Sequence, residues 1–157
     1  MPMSMERSLK AIQDTPVLMQ ALLRGVDEAR ARAARDGDGW NVTEVLCHLH
    51  DYDGIFRVRM ESSARENEPT WVGYNPDQLA AEHHYADQAF APTLAAFLER
   101  RREIVAFLKG LPAADYEERA GVHATLGRMT LTDQVVLMAL HDVNHMEQIV
   151  RALGING

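Results

Sequence analysis

Two histidines lie four residues apart in the string HDVNH, His141 and His145. On a helix, residues i and i+4 share a face, with Cβ atoms about 5–6 Å apart, so two imidazoles at this spacing can reach one metal ion. The spacing alone is weak in a chain with seven histidines, and the faces of the helices must decide. Projected at about 100° per residue, Asp133, Asn144, Glu147 and Arg151 fall on the solvent side, while Val135, Ala139, Met146, Ile149 and Leu153 fall inward. His141, His145, Met138 and Gln148 run along the inner boundary. In the string CHLHD, His48 lies on the inner side of the stripe Val45, Leu49, Tyr52, Phe56, Met60, and His50 points away beside Arg57 and Glu61. His48, His141 and His145 therefore form the candidate metal site. Three neutral imidazoles with an open position are the ligand set of a catalytic zinc-type centre.

Such a set suits Zn, Ni, Fe or Co, with Zn or Ni the expected occupants. A divalent ion there lowers the pKa of bound water or thiol, which leads to hydrolysis or to S-transfer. Four neighbours are candidate catalytic groups. Asp142 could orient a ligand ring or make an interhelical bond. Gln148 could hydrogen-bond a metal-bound water or cap a buried polar group. Tyr52, one turn past His48, could line the pocket or simply pack. Arg59 projects inward and requires either a core carboxylate or an anionic substrate. Cys47 projects off the inner stripe and is not a candidate nucleophile. His83, His84 and His123 fall in connecting segments, from which His123 alone could approach the site mouth. The competing reading keeps all three inward histidines as hydrogen-bonded core residues of a non-catalytic binding or stress-response module.

The elements that must position these groups read as all-α. Glu6 to about Ala34 carries an apolar helical repeat that Pro16 is expected to kink or break, with Thr15 capping the second piece. Asn41 and Glu44 form a capping pair for a helix reaching about Ser63. Arg65 to Ala89 is irregular, with a short helix over Gln78 to Tyr85. Pro92 suits the first turn of a helix buried through Leu94, Phe97, Leu98, Val105 and Leu108 and ended by KGLP. After a loop through Gly127, Thr130 and Asp133 cap a last helix that stops at Gly154. Four apolar stripes are most simply buried in a four-helix bundle, with an irregular crossover between the second and third helices.

Composition sets the outer bounds. At 157 residues the chain suits one domain, 1–157. Acids outnumber bases 23 to 16, for a formal charge of −7, which argues against a nucleic-acid partner. The single cysteine excludes an intrachain disulfide and fits a cytoplasmic setting. No apolar run suits a membrane span, and the first ten residues lack a signal-peptide core.

The strings GWNVTEVLCHLHDYD and GRMTLTDQVVLMALHDVNHMEQI, with the TP before the first apolar cluster and the GVHATLG loop, resemble the DinB/YfiT-like superfamily over nearly the whole chain. The resemblance implies a bundle connected up-down-down-up, and a metal triad of one histidine on the second helix and two on the last, which fall on His48, His141 and His145. It also implies a small-molecule substrate, in some relatives with a low-molecular-weight thiol as co-substrate, and frequent dimerisation. A homodimer is compatible with Val136, Leu140 and Val150 near the exposed side of the last helix.

Overall fold

In the computed structural model, residues 1 and 3–155 are described; positions 2, 156 and 157 of the expected domain lie outside them. The chain forms α1 (Met3–Leu22), α2 (Glu28–Ala33), α3 (Val42–Arg65), β1 (Thr70–Trp71), α4 (Pro76–Glu82), a single 3-10 turn (Tyr85–Asp87), α5 (Phe90–Lys109), α6 (Asp115–Glu118), β2 (Ala120–His123), β3 (Gly127–Thr130) and α7 (Leu131–Ala152). The four long helices α1, α3, α5 and α7 build the bundle in the up-down-down-up topology. In it α3 packs on α5 and α7, and α1 packs on the same two. A helix of 24 residues is about 36 Å long. A chain leaving α3 must travel back along it before α5 can run parallel, and the connection 66–89 supplies that length.

Both expected capping pairs are present. Asn41 Oδ1 accepts from the Glu44 amide at 2.9 Å, and Glu44 returns the bond to the Asn41 amide at 3.2 Å. Thr130 and Asp133 do the same at the start of α7. They satisfy amides that the first turn leaves open, and so fix where the two histidine-bearing helices begin.

Pro16 does not break α1, which runs through it, and Thr15 is no cap. The chain turns instead at Gly25, in the left-handed region with φ 78°, and Asp27 caps α2. Lacking an N–H, Pro16 leaves the Ile12 carbonyl without its helical partner. Arg101 Nη1 of α5 donates to that oxygen at 3.1 Å. The same guanidinium grips Asp53 of α3 with two bonds, Nε to Oδ2 at 3.0 Å and Nη2 to Oδ1 at 2.9 Å. It also reaches both oxygens of Asp142 on α7, at 2.5 and 2.8 Å. All five guanidinium hydrogens are thereby used. Thr15 Oγ1 of α1 donates to Asp142 at 2.7 Å, so every helix of the bundle contributes to this layer. Desolvation opposes the charge on Arg101, but the two carboxylates outweigh it and hold the pKa above its ordinary value.

The layer divides the hydrocarbon core in two. On one side lie residues such as Leu9, Ile12, Phe56, Met60, Ile104, Leu108, Val135 and Met138. On the other lie Met19, Val45, Leu49, Phe90, Phe97, Ile149 and others. The expected inward stripes of α3, α5 and α7 are thus present, each interrupted by one charged residue.

A small three-stranded sheet, in the order β1-β2-β3, is added to the helices where the sequence suggested only loops. β2 and β3 form an antiparallel hairpin, and β1 pairs with β2 in parallel. The Trp71 ring of β1 packs against Gly121, where a Cβ would stand 1.9 Å from the ring, and its Nε1 donates to Ser62 Oγ of α3 at 3.1 Å. The sheet therefore ties the crossover to α3 and to the entry of α7.

Arg101→Met should strand two buried carboxylates and lower the unfolding free energy by about 3–5 kcal/mol. The triple variant Arg101→Met, Asp53→Leu, Asp142→Leu should recover most of that loss. Urea unfolding followed by circular dichroism measures both, and a single variant as stable as the parent would show that the layer does not hold the bundle.

Candidate metal centre

His48 sits on α3, and His141 and His145 sit one turn apart on α7, at the level where the polar layer interrupts the core. Each ring offers a nitrogen, and the three lie within 4.8 Å of one another. His48 Nε2 and His141 Nε2 face each other at 2.9 Å. The ring centroids are 4.4 to 4.9 Å apart. His145 Nδ1 donates to Gln148 Oε1 at 2.8 Å, one turn further along α7, and this leaves the other nitrogen of that ring as a bare acceptor. Nδ1 of His48 and of His141 are buried and have no partner among the described residues. The polar opportunity of these two rings is therefore concentrated on their facing Nε2 edges.

Burial sets the protonation state. It pushes His48 and His141 down to about 3, with His145 adding to the fall in both cases, and it lowers His145 as well. For His141, His48 and the Arg101 charge contribute further. All three rings are neutral near pH 7, the form in which imidazole has a lone pair to give.

An aromatic wall encloses the cluster. Tyr52 packs on His48 at 4.4 Å between centroids and stacks on His141 at 5.2 Å. Trp40 lies 4.9 Å from His48 and Phe56 6.0 Å from His141. Burial raises the Tyr52 pKa, so its hydroxyl keeps its proton at neutral pH and is able to donate it in a hydrogen bond.

The structure thus brings together the three expected histidines, Tyr52 and Gln148, the last bonded to the His145 ring rather than facing open solvent. Of the two roles expected for Asp142, the structure shows the interhelical bond and corrects the ring-orienting one. Both of its oxygens are taken by Arg101 and Thr15, so it ties helices together and orients no imidazole. Arg59 meets no core carboxylate among the described residues, its Nη2 donating to the Val72 carbonyl at 2.7 Å, so of its two expected partners the anionic substrate is the one left open. His123 is turned to its own hairpin, where Nδ1 accepts from the amides of Thr125 and Leu126. His83 bonds Asp51 at 2.5 Å, away from the cluster, and His84 is exposed. Cys47 is buried, its nearest polar partner being Thr93, and burial pushes its thiol up to about 11, which suppresses the thiolate.

Two roles escaped the sequence reading. Trp40 covers His48, although nothing in its position just before α3 marks it as part of the site. Arg101 and Asp53 were not singled out, although each is a charged residue in register with an apolar stripe: Phe97, Arg101, Ile104, Leu108 on α5, and Leu49, Asp53, Phe56, Met60 on α3. That signal was available.

Fold and site together define a four-helix bundle with an inward cluster of three neutral imidazoles contributed by two helices. The chain belongs to the DinB superfamily, which it matches over residues 11–149. Among solved structures it is similar to YfiT from Bacillus subtilis, described as a probable metal-dependent hydrolase with an unusual four-helix bundle topology. The likeness has a TM-score of 0.80 at 20% sequence identity, and covers 97% of this chain and 89% of that one. No curated protein matches the sequence. No helix among the described residues is long and apolar enough to cross a membrane.

The depressed histidines give stability a pH signature. In the unfolded chain they titrate near 6.5, whereas His48 and His141 in the fold resist protons down to about 3. The unfolded state binds more protons in that window, so stability falls as pH drops from about 6.5 towards 3, by up to about 1.4 kcal/mol per pH unit for each ring. Urea unfolding across this range, in a chelator, should show that slope. His48→Gln with His141→Gln should flatten it, and an equal slope in that variant would remove the histidines as its cause.

Proposed function

We propose that His48, His141 and His145 hold one divalent transition metal, Zn or Ni in the first instance, in an enzyme that activates water or a small thiol. The reaction class is hydrolysis or thiol S-transfer on a small-molecule substrate, with a low-molecular-weight thiol as co-substrate in the second case. The observation that carries this reading is the convergence of three unprotonated imidazoles, joined in their cluster by no carboxylate among the described residues, with two Nε2 atoms already 2.9 Å apart. Nδ1 of His48 and of His141 is buried without a partner among the described residues, so the Nε2 atoms, which meet each other, are the ones these rings have to offer an ion. Its description as a metal-dependent hydrolase, made for the YfiT relative, favours the hydrolytic branch.

When bound, the ion would supply Lewis acidity and lower the pKa of a ligated water or thiol. The chain's own residues do the rest. Gln148 fixes the orientation and tautomer of His145. Tyr52 and Trp40 shield the imidazoles from bulk water, and the Tyr52 hydroxyl is a donor for a developing negative charge on substrate. Asp142 contributes indirectly, by holding the α7 backbone beside His141. We further propose a homodimer through the outer side of α7, where Leu140 is 58% and Val143 51% exposed beside the partly buried Val136 and Val150, and a cytoplasmic setting, in which Cys47 remains reduced.

Purified protein should carry about one divalent ion per chain by elemental analysis, and the variant with all three histidines changed to Gln should carry none. Gln148→Ala should weaken metal affinity by roughly 10–100-fold. A metal-free preparation whose melting temperature is not raised by added Zn or Ni would instead leave a non-catalytic helical module. Leu140→Lys should shift the sedimentation of the protein towards monomer.

A further inference from the structure

A half-open cavity of about 780 Å³ lies on the flank of α3, bordered by β1, the loop after it and α4. None of the three clustered histidines lines it. Its volume is within the range of roughly 300–1,000 Å³ in which small molecules bind. Two arginines face it, Arg59 and Arg100.

Among the described residues, the arginines that are at least partly buried are Arg57, Arg59, Arg100 and Arg101. Arg57 pairs with Glu61 and Glu103, and Arg101 with Asp53 and Asp142. Arg59 and Arg100 have no carboxylate within ion-pair distance, and both belong to this one cavity. Arg59 makes a single hydrogen bond, to the Val72 carbonyl. Its guanidinium carbon lies 5.7 Å from the Trp71 ring and 5.8 Å from the Tyr74 ring, which hold it while leaving donors free. Arg100 also makes one bond, to the His50 carbonyl at 2.9 Å, and lies across Gly54, where a Cβ would be 2.9 Å from its Nη1. Gly54 is thus the residue that makes room for this side chain.

The shortage is not one of acids, since the chain has 23 of them against 16 bases. The acids of the cavity are committed elsewhere. Asp51 accepts from Tyr85 at 2.6 Å and bonds His83, and Glu82 stands exposed at the rim and accepts from Gln78 at 2.7 Å. Leaving half-buried guanidinium groups without a counterion is costly unless a ligand provides one. An arginine fork framed by aromatic rings is suited to a planar oxyanion, and the low-dielectric walls strengthen the contact.

We propose that this cavity binds a small organic oxyanion, a carboxylate or phosphate carried on a flat apolar body. Arg59 is its direct partner, Arg100 adds positive potential, and Trp71 and Tyr74 line the place of the apolar body.

The test is an NMR titration of the full chain in chelator, so that its outcome does not depend on whether the histidine cluster holds a metal. The Trp71 indole N–H is followed against benzoate, phenyl phosphate and neutral benzamide. At least one of the two anions should shift it saturably while benzamide does not, and the stronger of the two identifies the anion. Arg59→Gln should weaken that binding by roughly tenfold or more, with less effect from Arg100→Gln. Circular dichroism checks both folds, and should Arg59→Gln not fold, Arg100→Gln decides. An equal response to benzamide, no saturable shift with either anion, or unchanged affinity in the folded variants would overturn the proposal.

Discussion

A single guanidinium, buried at mid-height, is what the rest of the bundle is arranged around. Arg101 can be desolvated only if each of its five hydrogens meets an oxygen, and those oxygens come from α1, α3 and α7. The requirement fixes how the four helices stand relative to one another, because side chains in a hydrocarbon core tolerate small slides and a forked ionic contact does not. It also makes the middle of the bundle the place where polar groups can be lodged. The imidazoles occupy that level: His141 precedes Asp142, and Tyr52, which covers His48 and His141, precedes Asp53. The site is an extension of a polar layer that already exists for structural reasons.

The cluster's chemistry follows from the same placement. Imidazoles in water are partly protonated near neutral pH, and protonation removes the lone pair. Packed among aromatic rings and next to a permanent positive charge, these three stay neutral. Gln148 supplies an uncharged acceptor for His145, so orientation is gained without a second carboxylate to draw protons in. About three turns along the same face of α3, roughly 16 Å by helical rise, Arg59 stands in a different environment, cationic and open. One helix thus serves two sites of opposite character.

Much of this was legible in the residues. The two capping boxes are local patterns whose partners lie three residues apart, and both formed as read. The inward stripes of α3 and α7 placed His48, His141 and His145 on converging faces, because helical periodicity depends only on the chain itself. What escaped depended on partners remote in sequence. Asp142 could be seen to face inward, but not that Arg101, 41 residues earlier, would claim both its oxygens. Arg59 was expected to face a core carboxylate or an anionic substrate, and within the fold it meets a carbonyl and two rings. The strands of the sheet are two to four residues long, too short for alternation to register, and exist because Trp71 and the hairpin meet across the end of α3. Pro16 was read by its local cost, whereas the chain reverses at Gly25.

Pro16 has a further consequence. Along a helix each main-chain oxygen is ordinarily taken by the amide four residues on, so a neighbour that docks there must share it, as Arg100 shares that of His50. Here a missing amide exposes one oxygen, and a cation from another rod docks there. The recognition between α1 and α5 is therefore encoded by an atom that is absent. A swap to alanine would return an amide to the first rod and oblige the second to share its berth.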